Sequence, residues 1–108
     1  MALVSKLSDV IATREIELVL KDGAKETYLV SIARPELAET RDSYVCAHEF
    51  LSETFEKIIN IHGVDPFQAL ELSIKSIAPY LEYLERKRGG IFHFSGEPGH
   101  CFPKSKQV

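Results

Sequence analysis

Polar and apolar residues alternate strictly from Arg14 to Leu20. Ile16, Leu18 and Leu20 share one side and Glu15, Glu17 and Lys21 the other, the pattern of a half-buried strand. Asp22-Gly23 reads as a turn, after which Tyr28, Val30 and Ile32 alternate in a second strand. A two-residue Asp-Gly loop would place Leu18 opposite Thr27 and mix the two faces. A three- or five-residue loop, taken to align Leu18 with Tyr28 and Ile16 with Val30, keeps the apolar residues together, so an odd-length loop is expected. Pro35 ends this strand, and residues 35–42 read as a polar connection. Alternation returns over 43–51, with Tyr44, Cys46, His48 and Phe50 on one side, and over 54–62, with Phe55, Lys57, Ile59 and Ile61. These segments predict a second hairpin pairing Phe50 with Phe55, His48 with Lys57 and Cys46 with Ile59. A helical stripe through Ala47, Phe50, Leu51 and Phe55 is the competing reading, and β-branched Ile58, Ile59 and Ile61 favour strands.

Beyond Pro66 the period changes. Phe67, Leu70, Ile74, Ile77, Leu81 and Leu84 fall at three- and four-residue steps, which predicts a helix over 65–88 whose apolar stripe packs on the sheet. Gly63 reads as a position tolerant of positive φ, Asp65 as the cap, and Pro66 as a first helical residue with its φ preset. Gln68, three residues beyond Asp65, completes a capping box in which its amide returns to the Asp65 N–H. Pro79 removes a backbone bond to Lys75 and predicts a kink with the stripe continuing. Arg86-Lys87-Arg88-Gly89 supplies the cations and glycine that end helices. Gly90–Ser95 holds enough apolar residues for a short last strand, and Leu3, Leu7, Val10 and Ile11 fit the stripe of a short N-terminal helix, with an irregular strand as the alternative in so short a window. The organisation expected is one domain over 1–108: an N-terminal segment 1–13, antiparallel hairpins 14–62, the helix 65–88 and a flexible, turn-rich tail 96–108. The fold class is α+β, an antiparallel sheet of about four strands packed on one face by a long kinked C-terminal helix.

The run Gly63-Val-Asp-Pro-Phe-Gln-Ala-Leu-Glu-Leu-Ser73, with Ala33-Arg-Pro-Glu36 and Tyr44-Val-Cys46 upstream, resembles a family of small uncharacterised bacterial domains with a Gly-x-Asp-x-x-Gln-Ala-Leu strand-to-helix motif. The resemblance spans roughly residues 14–84 and implies a short antiparallel sheet followed by a helix beginning at the motif. It brings no catalytic residues. Ser73 stands where the resemblance implies alanine, Pro79 interrupts the later helix, and the segment from Gly89 onward has no counterpart in it.

Net charge of −3 and pI near 5.8 give no general drive toward nucleic acid or an anionic bilayer. No run approaches the roughly 18 apolar residues that span a membrane. Lys6 and Asp9 interrupt the first ten residues as a signal-peptide core, so the cytoplasm is the default location. Cys46 and Cys101 are too few for a disulfide scaffold and are expected reduced.

Candidate chemistry is sparse. Cys46 and His48 share a strand side and His100-Cys101 are adjacent, yet no Cys-x-x-Cys or His-x-x-x-His spacing occurs, so ordinary half-buried histidines are preferred to a metal site. A Cys46 nucleophile assisted by His48 is the enzymatic alternative, against the blander reading of a small buried thiol. No catalytic residue, metal or cofactor is assigned. The basic run 86–88 lacks interleaved aromatics for stacking bases, which leaves nucleic acid the weakest partner.

Residues 35–57 are more telling. They hold Glu36, Glu39, Asp42, Glu49, Glu53 and Glu56 against Arg41 and Lys57, giving −4 locally. The sheet side away from the helix would carry Val19, Leu29, Ala33, Val45, Ala47, Leu51 and Ile58. Either the N-terminal stripe or the Ile91–Phe94 strand packs there, or a partner does. The functional expectation is a non-enzymatic interaction module, most concretely an immunity or antitoxin-like protein. Its six acids and open sheet side together would occlude a basic toxin or another protein, or the partner would be a second copy of the chain.

Overall fold

The computed structural model describes residues 3–104. Its strands are β1 (Val10–Leu20), β2 (Lys25–Ala33), β3 (Glu36–Leu37), β4 (Tyr44–Leu51), β5 (Glu56–Gly63), β6 (Gly90–Phe94) and β7 (Glu97–Pro98), with one helix, α1 (Pro66–Arg88), between β5 and β6. They form a single antiparallel sheet with α1 packed on one side. The four long strands are those the alternation predicts, but the sheet has seven strands and not four. The polar connection contributes β3, and the segment after the helix contributes β6 and β7. β5 runs along one edge of β4 for its whole length, while β2 and then β3 share the other edge. β1 lies between β2 and β6.

The first hairpin closes through Lys21-Asp22-Gly23, with Leu20 and Ala24 bonded across it, so its loop is odd. Ile16 faces Tyr28 and Leu18 faces Glu26, two residues away from the expected pairs. The second hairpin shows the same displacement: Phe50 pairs with Lys57, His48 with Ile59 and Cys46 with Ile61. A slip of two preserves the side on which every residue lies. Ile16, Leu18, Tyr28, Val30, Phe50 and Phe92 therefore still meet Ile77, Leu81 and Leu84 of α1 in the core.

At the helix start the Asp65 carboxylate accepts the Gln68 N–H at 2.7 Å, as expected. The Gln68 amide reaches one residue further back, accepting the Val64 N–H at 2.8 Å in place of that of Asp65. Gly63 is required for closeness and not for positive φ: a Cβ there would lie 2.4 Å from the Ala69 nitrogen. α1 is one continuous helix through Pro79, where a kink was expected, and closes on Gly89 at φ 74° with its N–H on the Glu85 carbonyl. The buried stripe differs from the predicted one. Phe67 is 85% exposed, and Ala69, Ser73 and Ala78 join Ile77, Leu81 and Leu84 on the buried side. Small residues let the first turns approach β4 and β5 closely.

Residues 3–9 are not the expected helix. They run without regular structure across the sheet side opposite α1, then turn into β1 at Asp9 (φ 53°), whose carbonyl accepts the Arg34 N–H. The turn-rich end packs back against β1 and α1 as far as it is described. His100 is buried, and the Arg14 guanidinium lies 4.6 Å from the Phe94 ring centroid and 4.5 Å from that of Phe102. Arg14 also donates to the carbonyls of His100 and Cys101. Residues 105–108 of the predicted tail lie outside the described residues.

Candidate functional site

Two polar constellations exist, one on each side of the sheet. Beneath α1, strand alternation aims Cys46 and His48 at the helix, and Ser73 comes down from the helix to meet them. The Ser73 hydroxyl lies 2.7 Å from His48 Nδ1 and donates to the Cys46 carbonyl at 3.2 Å. Cys46 Sγ donates to the Ala33 carbonyl at 3.3 Å, and His48 Nε2 is buried with no partner. Burial raises the Cys46 thiol above its ordinary value and pulls His48 down from 6.5 to about 4. A nucleophilic cysteine needs the opposite shift and a path to solvent. All three side chains are fully covered, and the Ser73 hydroxyl bridges the His48 ring and the Cys46 carbonyl at a close helix–sheet approach.

On the other side, Glu49 is fully buried. Both of its carboxylate oxygens are engaged by residues 5 and 6: Ser5 Oγ donates to Oε1 at 2.7 Å and the Lys6 N–H donates to Oε2 at 3.1 Å. The Lys6 ammonium pairs with Glu56, which raises the lysine's pKa. Ser31 sits directly opposite Glu49 on β2, with its hydroxyl buried and unpartnered. Leu3, Ser5 and Leu7 are half-buried while Val4 and Lys6 are exposed, so the chain crosses the sheet as an extended strap with alternate residues turned inward.

The six acids expected to form one surface are therefore divided. Glu49 is sealed and Glu56 is engaged by the strap, because alternation turns both onto the strapped side. Glu53 lies beyond one end of β4, and Glu36, Glu39 and Asp42 lie at the other end, about 25 Å away for eight strand residues. Those last three are exposed and, among the described residues, enter no ion pair. The Thr40 hydroxyl beside Asp42 holds its carboxyl below the usual value. Asp65 and Gln68 form the helix cap.

The histidines and cysteines are not assembled. His100 lies 3.5 Å from Glu82 beside α1, Cys101 is exposed, and His62 pairs with Ser43. No group of three His, Cys, Asp or Glu residues close enough to hold a metal occurs among the described residues. Sequence reasoning missed Ser5 and Lys6, hidden in a segment read as helix, and the role of Ser73. A hydroxyl interrupting an apolar stripe was the available signal for Ser73.

A mixed α+β domain, one antiparallel sheet with a single helix on it and no described helix long and apolar enough to cross a membrane, is thus the class defined by the fold. A family model described as "Domain of unknown function (DUF6968)" matches residues 12–104, and the chain belongs to that family. No curated protein and no solved structure matches it.

Proposed function

We propose that this chain is a non-enzymatic protein-interaction module that takes a basic partner at the acidic turn between β3 and β4. The observation that carries this reading is that Glu36, Glu39 and Asp42 stand exposed at one end of the sheet and, among the described residues, enter no ion pair, with Arg41 between them in the turn. Clustered charge of one sign steers an oppositely charged partner and sets its orientation. A cytoplasmic bacterial immunity or antitoxin-like protein that occludes a basic toxin is the most concrete form of the proposal. The alternative, an enzyme or metal-dependent module using Cys46 and His48, is weakened by the helix that covers both residues.

The test is capture from native host cells by the unaltered chain and by a variant carrying Glu36→Lys, Glu39→Lys and Asp42→Lys. Support would be a basic protein held by the first and lost by the second. Recovery of no such protein, with native mass spectrometry giving monomer alone, would overturn the proposal.

A further inference from the structure

Residues 3–7 occupy the sheet as a bound peptide would. They lie extended, with Leu3, Ser5 and Leu7 inward, yet they join no strand ladder. Among the described residues, one backbone bond outside the ladders ties 3–9 to the sheet, from Arg34 N to the Asp9 carbonyl at 2.9 Å. The rest of the attachment is side-chain recognition. The Ser5 hydroxyl and the Lys6 N–H meet the buried Glu49, while the Lys6 ammonium meets Glu56.

A carboxylate is a poor choice merely to fill a covered sheet side, since an apolar side chain would do so without losing hydration. What Glu49 adds is register, because it demands a hydroxyl and an N–H at one place along the strap. The strap also leaves the site incompletely satisfied: Ser31, cross-strand from Glu49, is 1% exposed and its hydroxyl has no partner. We propose that the sheet side opposite α1 is a docking groove for an extended basic peptide of the pattern apolar–x–hydroxyl–Lys/Arg–apolar. In this structure it is held closed by the chain's own Leu3-Val4-Ser5-Lys6-Leu7. The strap is a resident competitor, and it joins β1 at Asp9, where φ of 53° holds a non-glycine residue in the left-handed region. This rests on the reading of the chain as an interaction module and names the kind of segment it would take.

The probe is a fluorescent peptide, Leu-Val-Ser-Lys-Leu-Ser-Asp, followed by anisotropy on the full chain. In a variant carrying Ser5→Ala and Lys6→Glu, which loosens the resident strap without removing it, the peptide should bind at least tenfold more tightly than to the unaltered chain. Adding Glu49→Gln should remove that gain, and a peptide with Ala and Glu at the Ser and Lys positions should bind neither chain. Absence of saturable binding to the loosened chain, with its circular dichroism intact, would overturn the proposal, as would binding indifferent to Glu49→Gln. If the loosened chain does not fold, hydrogen exchange of the unaltered protein decides. The Lys6 amide should exchange by local opening well before the β1–β2 ladder, and exchange only with global unfolding refutes a liftable strap. Strap exchange with a second copy, seen as a concentration-dependent dimer that the peptide cannot dissolve, also counts against it. Lysines at 36, 39 and 42 should leave the peptide signal unchanged, so this inference and the acidic-turn reading fail separately.

Discussion

Ser73 and His48 meet at 2.7 Å across the interface of helix and sheet, a hydrogen bond closed off from solvent on both sides. The Ser73 hydroxyl also lies 3.2 Å from the Cys46 carbonyl, and its single proton serves that oxygen or His48 Nδ1 according to the ring's tautomer. Ser73→Ala leaves Nδ1 without this partner in a dry interface and should cost about 1–3 kcal/mol. Urea unfolding of the two proteins measures it, and equal midpoints would refute a stabilising role for the bond.

Stability should fall in acid on account of the same ring. Burial alone takes His48 from 6.5 to about 4. Because its folded value is the lower one, the unfolded chain takes up this proton first as pH drops. The contribution is complete above 6.5 and lost as pH falls towards 4, on the order of 3 kcal/mol across that window. His48→Gln should flatten the dependence of the unfolding free energy on pH in this range. A variant curve parallel to that of the unaltered protein would contradict the prediction.

Gly63→Ala should be among the most damaging single-methyl additions. The new carbon would lie 2.4 Å from the Ala69 nitrogen and 2.8 Å from its Cα, both backbone atoms of the capped first turn that cannot swing aside. The cost should be about 1–3 kcal/mol or more, visible as a lower Tm. An unchanged Tm would mean that the helix start can shift at little expense.

Thiol chemistry should separate the two cysteines. Cys46 is covered and its thiolate disfavoured by burial, whereas Cys101 is exposed. Brief treatment of the folded protein with iodoacetamide should label Cys101 and spare Cys46 until denaturant is added, as peptide mapping would reveal. Labelling of both at similar rates would show that α1 lifts from β4.

Strand sides were legible in the sequence because alternation has a period of two, which Ile16, Leu18, Tyr28 and Val30 report without reference to their partners. Pairing was less legible. Both hairpins slide by two residues from the expected register, a change that leaves every side chain facing the same way and so leaves no trace in the pattern. Residues 3–7 misled for a related reason: Leu3 and Leu7 are four apart, a spacing that suits a helix turn and an extended chain alike. Ala69 and Ser73 escaped the helix stripe because apolar periodicity gives weight to large side chains, while a close helix–sheet approach selects small ones. The acids are neighbours along the chain and separate in space, which the sequence does not reveal. Eight residues of extended β4 carry Asp42 and Glu53 to opposite ends of the sheet, and alternation turns Glu49 under the strap.

The pairing of β1 with β6, Leu20 opposite Gly90 and Glu17 opposite His93, sets a timetable for biosynthesis. At about 5–20 residues per second, the ribosome needs roughly 4–14 seconds to travel from the one strand to the other. Throughout that interval the nascent chain carries β1 with a naked border of amide and carbonyl groups, an invitation to the wrong neighbour. Translation that stalls within α1 should therefore yield insoluble fragments.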